Sequence, residues 1–271
     1  MRGCGLVLGL LPFVALGAAR PLRAQGALTL AQHVALGDSA HAALRPAQAL
    51  EHFRAALALD STNYEALWKA GRELVDIAKQ IEGTDEASRH RRDSLYSAAR
   101  DYGEAAVRAN PNGADGHFII AQALGRLSRT RGGKERVRFA KIIYDEAMRA
   151  VQLDSTHDGA YHVLGAWHEE VMLLSGVQKM FAKLLFGGGF LDRGNWADAQ
   201  RYLERAVALR PAHIFHRLEL GEVYVDVGKY SKAREQFAAI DTLPVADVLD
   251  PEYKRQAKQL LADIRGLKDE G

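Results

Sequence analysis

The side chains most able to do chemistry are ten histidines, two runs of arginine and lysine, and one cysteine. A metal centre needs three or more imidazoles or carboxylates converging on one ion. His213 and His216 can share a helical face, and His162 and Glu169 stand about two turns apart on another, but neither pair supplies three ligands and no HExxH occurs. No metal and no cofactor is expected. Nucleophilic catalysis lacks a starting point, because no GxSxG is present and the sole cysteine, Cys4, sits in the terminal stretch. The stretch SRTRGGKER is no phosphate loop: Ser128 replaces the leading glycine of GxxxxGK, and Glu135 follows Lys134. Catalytic residues are therefore not assigned, and the chain is not expected to be an enzyme.

The basic residues are local. Arg89, Arg91 and Arg92 form one group, and Arg126, Arg129, Arg131, Lys134, Arg136, Arg138 and Lys141 form another, opposed only by Glu135. On one edge of the molecule these groups would attract phosphate head groups or an acidic partner surface. The whole chain carries 36 basic and 34 acidic residues, a balance that excludes general nucleic-acid binding. With 48% apolar and 26% charged residues it has ample material for a core.

The elements that position these groups follow from internal repetition. Gly37, Gly71, Gly165 and Gly221 share one upstream neighbourhood, and Ala121 takes the glycine's place in a fifth copy. Each is followed by a second helical segment whose small residues lie seven apart, such as Ala49 and Ala56, Ala99 and Ala106, or Ala199 and Ala206. Small residues on facing helices allow close antiparallel packing. Successive repeat spacings of 34, 50, 44 and 56 place insertions between the two helices of the second, third and fourth units. Residues 249–271 hold an amphipathic segment with Tyr253, Ala257, Leu260, Leu261 and Ile264 on one face, expected to cap the array.

This pattern resembles the tetratricopeptide repeat, and the spacing of 16 from Gly37 to Phe53 and from Gly221 to Phe237 is that family's. The resemblance implies that first helices line a concave face. Its fifth position reads Val34, Trp68, Phe118, His162 and Leu218, and its ninth reads Asp38, Arg72, Gln122, Ala166 and Glu222. The lysine and asparagine clamp for a terminal carboxylate is missing. The groove residues expected to bind are Trp68, Arg72, Phe118, Gln122, His162, Glu169 and Leu218, in a largely apolar channel suited to an amphipathic helix, an extended peptide or a lipid chain. The fourth unit's insertion, with Val177, Met180, Phe181, Leu184 and Leu185 at helical spacing and Lys179 and Lys183 on other faces, either fills that groove or meets a partner or membrane surface.

The stretches RVRFAKIIYDEAMRAVQLDSTHDGAYHVLGAW, VQKMFAKLLFGG and WADAQRYLERAVALRP resemble the helical domain of the regulator of microtubule dynamics family, from about Leu67 to Ile264. That resemblance implies a tetratricopeptide-like domain behind an amino-terminal membrane segment, association with microtubules and organelle contacts, and no established catalysis.

Residues 1–24 read as a signal peptide or amino-terminal anchor: Arg2, an apolar run from Gly3 to Ala19 interrupted by Pro12, then Arg20 and Arg23. An exported, periplasmic or extracellular chain, or one anchored by this segment, is expected. The whole is read as an all-α, right-handed solenoid: five tetratricopeptide-like repeats over 25–248 with enlarged turns inside the repeats, then a capping helix. It is expected to act as a scaffold for a protein or peptide partner, or alternatively for a lipid or membrane surface through Arg89, Arg91, Arg92, Arg129, Arg131, Lys134, Arg136, Lys179 and Lys183.

Overall fold

The computed structural model describes Met1, residues 27–186 and residues 190–270. The apolar amino-terminal segment, with Arg2, Cys4, Arg20 and Arg23, lies outside the described residues, as do Gly187 to Gly189 and the side chains of Val177, Phe181, Leu185 and Phe186.

Among the described residues twelve α-helices follow one another: α1 (Leu30–Ala42), α2 (Pro46–Leu59), α3 (Tyr64–Lys79), α4 (Glu86–Ala109), α5 (Ala114–Ser128), α6 (Gly133–Leu153), α7 (Asp158–Leu173), α8 (Gly176–Phe186), α9 (Trp196–Leu209), α10 (Ile214–Asp226), α11 (Tyr230–Thr242) and α12 (Asp250–Asp263). Among the described residues there is no strand. Several starts are set by short polar side chains just ahead of an apolar run. Thr29 accepts from the Gln32 amide, and the Gln32 side chain accepts from the Thr29 amide, closing a capping box on α1. Asn63, Asp85 and Asn195 side chains accept from the first-turn amides of α3, α4 and α9.

Successive repeats are joined by a recurring four-residue turn at 60–63, 110–113, 154–157 and 210–213. In each, the amide of the fourth residue donates to the carbonyl of the first, at 3.0–3.2 Å. Asp60 and Asp154 tighten two of them by accepting from the backbone and hydroxyl of Thr62 and Thr156. The turn is too short to allow anything but an immediate reversal, so α2 leads into α3, α4 into α5, α6 into α7 and α9 into α10.

Within a repeat the glycines decide how closely the helices approach. A Cβ on Gly37 would lie 2.5 Å from the Phe53 ring, and one on Gly221 would overlap Phe237. Both phenylalanines are almost wholly buried, so each ring fills the notch that its glycine leaves. Ala49, Ala56, Ala99, Ala106, Ala199 and Ala206 are fully buried on the facing helices. The packed seam falls into two clusters, one running from α1 to α7 and one from α9 to α12. Fold and family pattern agree: the chain is a tetratricopeptide-like solenoid.

The insertions take two forms. In the second and third repeats they lengthen the second helix, giving α4 24 residues and α6 21. In the fourth, α8 and the short 3-10 turn Leu191–Arg193 separate α7 from its partner α9. Met180 and Leu184 on α8 are 55% and 75% exposed, and among the described residues none of α8 lines the concave cavity. What closes the concave side instead is the loop 243–249 before α12. Asp247 from this loop reaches Lys79 of α3 at 3.1 Å, and Tyr253 of α12 stacks on Phe215 of α10 at 4.6 Å between ring centroids.

Candidate functional site

The first helices and the returning loop enclose a cavity of about 480 Å³. Trp68, Arg72, Phe118, Gln122 and His162 of the expected groove set line it. Leu218 does not: it is 1% exposed within the second core cluster, where no ligand reaches it. Glu169 opens instead into a neighbouring recess with Glu170, Glu219, Glu222 and Asp226, edged by Arg129. Burial first and the surrounding carboxylates second push Glu169 up to about 9, and the same causes push Glu222 up to about 7.

The lining of the channel is more apolar than polar, as expected, with Trp68 and Phe118 contributing aromatic faces. Ionisable groups also stand on its walls, several of them from positions outside the two columns that the repeat pattern samples. On the α3 wall, Trp68, Arg72, Asp76 and Lys79 follow each other at helical spacing along the cavity face. Lys79 Nζ donates to Asp76 Oδ1 at 2.8 Å and to Asp247 Oδ2 at 3.1 Å. Burial favours the neutral amine of Lys79, but the two carboxylates more than reverse this and raise it. Arg72 stacks over the Trp68 ring at 5.2 Å and donates to Glu73 at 2.8 Å.

The opposite wall carries three imidazoles that the sequence places in separate pairs. His216 Nε2 lies 2.8 Å from Asp158 Oδ2, and its Nδ1 lies 3.1 Å from His162 Nδ1. The Asp158 carboxylate fixes the proton on His216 Nε2, so His216 Nδ1 accepts and His162 Nδ1 donates. His213 stacks on His216 at 3.9 Å. Burial holds all three below the ordinary imidazole value, His213 at about 3, so all are neutral at pH 7. Burial pushes Asp158 up, but the His216 hydrogen bond and, once that ring is protonated in acid, its charge, with Arg210, bring it down to about 2. Among the described residues no serine, threonine or cysteine hydrogen-bonds to these imidazoles, and the chain of bonds orients the rings.

Arg126 lies over Phe215 at 5.4 Å and makes no ion pair among the described residues. Gln122 Oε1 and His213 Nδ1 are buried and find no hydrogen-bond partner in the protein. Arg126 is legible in the sequence only as one of a basic run, and nothing there singles out His41, Asp76, Lys79, Asp158 or Asp247.

The basic residues divide by environment. Arg89, Arg91 and Lys134 are exposed. Arg92 donates to the carbonyls of Ile81 and Gly83, fixing the α3–α4 turn. Arg131 pairs with Asp93 at 3.4 Å, tying the segment before α6 to α4. Arg129 and Arg136 line the concave cavity. On α8, Lys183 pairs with Asp192 at 2.8 Å and Lys179 donates to the Met172 carbonyl at 3.3 Å.

Comparison with known proteins places this architecture. A solved thermophilic tetratricopeptide protein of Thermus thermophilus superposes with a TM-score of 0.63 at 19% identity, over 86% of this chain and 100% of that one, a likeness of fold. Regulator of microtubule dynamics protein 1 of Bos taurus is 26% identical over 211 residues, 78% of this chain and 64% of that protein. Regulator of microtubule dynamics protein 3 of Rattus norvegicus is 24% identical over 72% of this chain and 40% of its own length. The chain thus spans under two thirds of the length of these relatives. The sequence profile for regulator of microtubule dynamics proteins 1-3 matches residues 34–265, nearly the whole solenoid, and on that match the chain belongs to this family.

Proposed function

We propose that the chain is a non-enzymatic scaffold holding a short extended segment of a partner protein in its concave cavity. The observation that carries the reading is the cavity lining itself: the Arg126 guanidinium, without a carboxylate partner among the described residues, beside the aromatic faces of Trp68 and Phe118. A peptide supplies a carboxylate for Arg126, while Trp68 and Phe118 receive apolar side chains. A cavity of about 480 Å³ favours a few extended residues over an amphipathic helix, whose diameter with side chains is about 10 Å. Peptides selected from a random library on the immobilised full chain test this. Trp68→Ala with Phe118→Ala, and separately Arg126→Met, should lose the selected peptides while helicity by circular dichroism is kept; undiminished capture removes the cavity from consideration.

A second reading, contact with a lipid surface, is favoured by the exposed Met180 and Leu184 on α8 together with the exposed Arg89, Arg91 and Lys134. Flotation with neutral and with anionic liposomes separates the two, since a protein-only scaffold stays at the bottom of both gradients. An exported or membrane-anchored location belongs to the same proposal and is checked by the amino-terminal sequence and compartment of the mature chain.

A further inference from the structure

The Glu73 carboxylate is fully buried on α3, one helical turn before Asp76. Arg72 Nε donates to Glu73 Oε1 at 2.8 Å, and Lys79 bridges Asp76 and Asp247. His41, in the last turn of α1 in the preceding repeat, places Nδ1 3.0 Å from Glu73 Oε1 and 3.2 Å from Oε2. Three carboxylates thus meet two permanent cations and one imidazole. An excess of buried negative charge is costly, and the set retains room for one more positive charge.

One nitrogen of His41 and one oxygen each of Glu73 and Asp76 all lie within 4.8 Å of one another. An ion that holds nitrogen and oxygen ligands at about 2.0–2.2 Å spaces them a little over 3 Å apart. The His41–Glu73 pair is already there, and a side-chain shift on the order of 1 Å brings in Asp76. We propose that His41, Glu73 and Asp76 form a binding site for a divalent first-row transition ion. One imidazole with two carboxylates is a donor set that suits Zn²⁺.

The surroundings are those such a site needs. Arg72 and Lys79 hold the two carboxylates in orientation, the part that hydrogen-bonded neighbours play around metal ligands. His41 and Asp76 also line the concave cavity, which gives the ion an entry path and leaves a coordination position open toward whatever occupies that space. The site would tie α1 to α3 and so couple the first repeat to the second. The imidazoles on the opposite wall do not offer the same arrangement, because His162 and His216 spend their facing nitrogens on each other and on Asp158.

The test uses the untagged full chain, stripped with a chelator and titrated with zinc sulfate by calorimetry, with thermal melts alongside. One equivalent should bind, and Tm should rise with zinc concentration, as linkage requires. His41→Ala and Asp76→Asn should each weaken binding at least about tenfold while retaining helicity, and His216→Gln should bind as the parent does. Absence of binding to the parent chain overturns the proposal, as does binding that survives both substitutions or is lost only in His216→Gln. If Asp76→Asn does not fold, His41→Ala decides, since the His41 side chain is one-third exposed and its removal leaves the core intact.

Discussion

Lys79 and Asp247 sit 168 residues apart in sequence, yet their side chains meet at 3.1 Å across the concave face. Lys79 is 8% exposed and Asp247 21%, so the bond is largely sheltered from water. It joins the second repeat to the loop that precedes the cap and makes the cavity a chamber with a far wall. Asp247→Asn should leave Lys79 with Asp76 as its one remaining carboxylate and cost about 1–3 kcal/mol in urea unfolding. Lys79→Ala should cost more, about 3–5 kcal/mol, because it leaves two carboxylates without their cation. Hydrogen exchange at 243–249 should quicken in both variants, and unchanged protection there would show that the bond does not hold the loop.

The glycine–phenylalanine notches predict an over-packing penalty. Gly221→Ala drives a methyl into Phe237 and should destabilise the chain by about 1–3 kcal/mol. Adding Phe237→Leu should recover part of that loss, a coupling that a double-mutant cycle measures. Additive losses would mean the two residues do not share the space.

The two carboxylate- and imidazole-lined regions respond to pH with opposite sign. His162, His213 and His216 are held below their unfolded value of 6.5, so the unfolded chain binds protons first and stability falls as pH drops below that value, toward about 3 for His213. Asp158, down at about 2, adds a further loss between about pH 4 and 2. Glu169 is raised to about 9 from 4.5, so its protonated form is favoured in the fold and stability is lost as pH rises through that interval. Glu169→Gln should therefore gain in Tm over the parent progressively from about pH 5 to pH 9. A difference that stays flat across this range would contradict the burial of that carboxyl.

On α8, exposure of Met180 and Leu184 predicts that replacing both with serine leaves urea stability within about 0.5 kcal/mol of the parent. A larger loss would place those side chains in a packed setting. The same variant should abolish flotation with anionic liposomes if that second reading holds.

The repeat register was legible because it rests on local steric facts. Gly37 and Gly221 are spaced from their phenylalanines by the geometry of one hairpin, and the structure brings each pair into contact. Trp68 and Phe118 followed from the same register. The ionisable groups that meet on the cavity walls did not, because their meeting depends on where separate segments come together. Asp247 lies in an irregular loop whose sequence gives no sign that it lands on α3. His162 and His216 were each visible, but nothing local brings α7 and α10 together at 3.1 Å. Leu218 departs from the groove for a related reason: α10 lies under the cap, so its fifth position turns into the second core and away from the open face. The recurring turns at 60–63 and 154–157 carry a readable cue, Asp-Ser-Thr at both, which a register built on glycines does not use.

An open-ended array can acquire or discard a helical hairpin and keep the remainder unchanged. This one has surrendered that freedom, since removing a hairpin between α3 and α12 would rotate Asp247 off its station opposite Lys79. Diversification within this architecture is therefore channelled into stretching existing rods, as α4 and α6 have done, and any attempt to engineer a longer or shorter version must redesign the latch as well as the rungs.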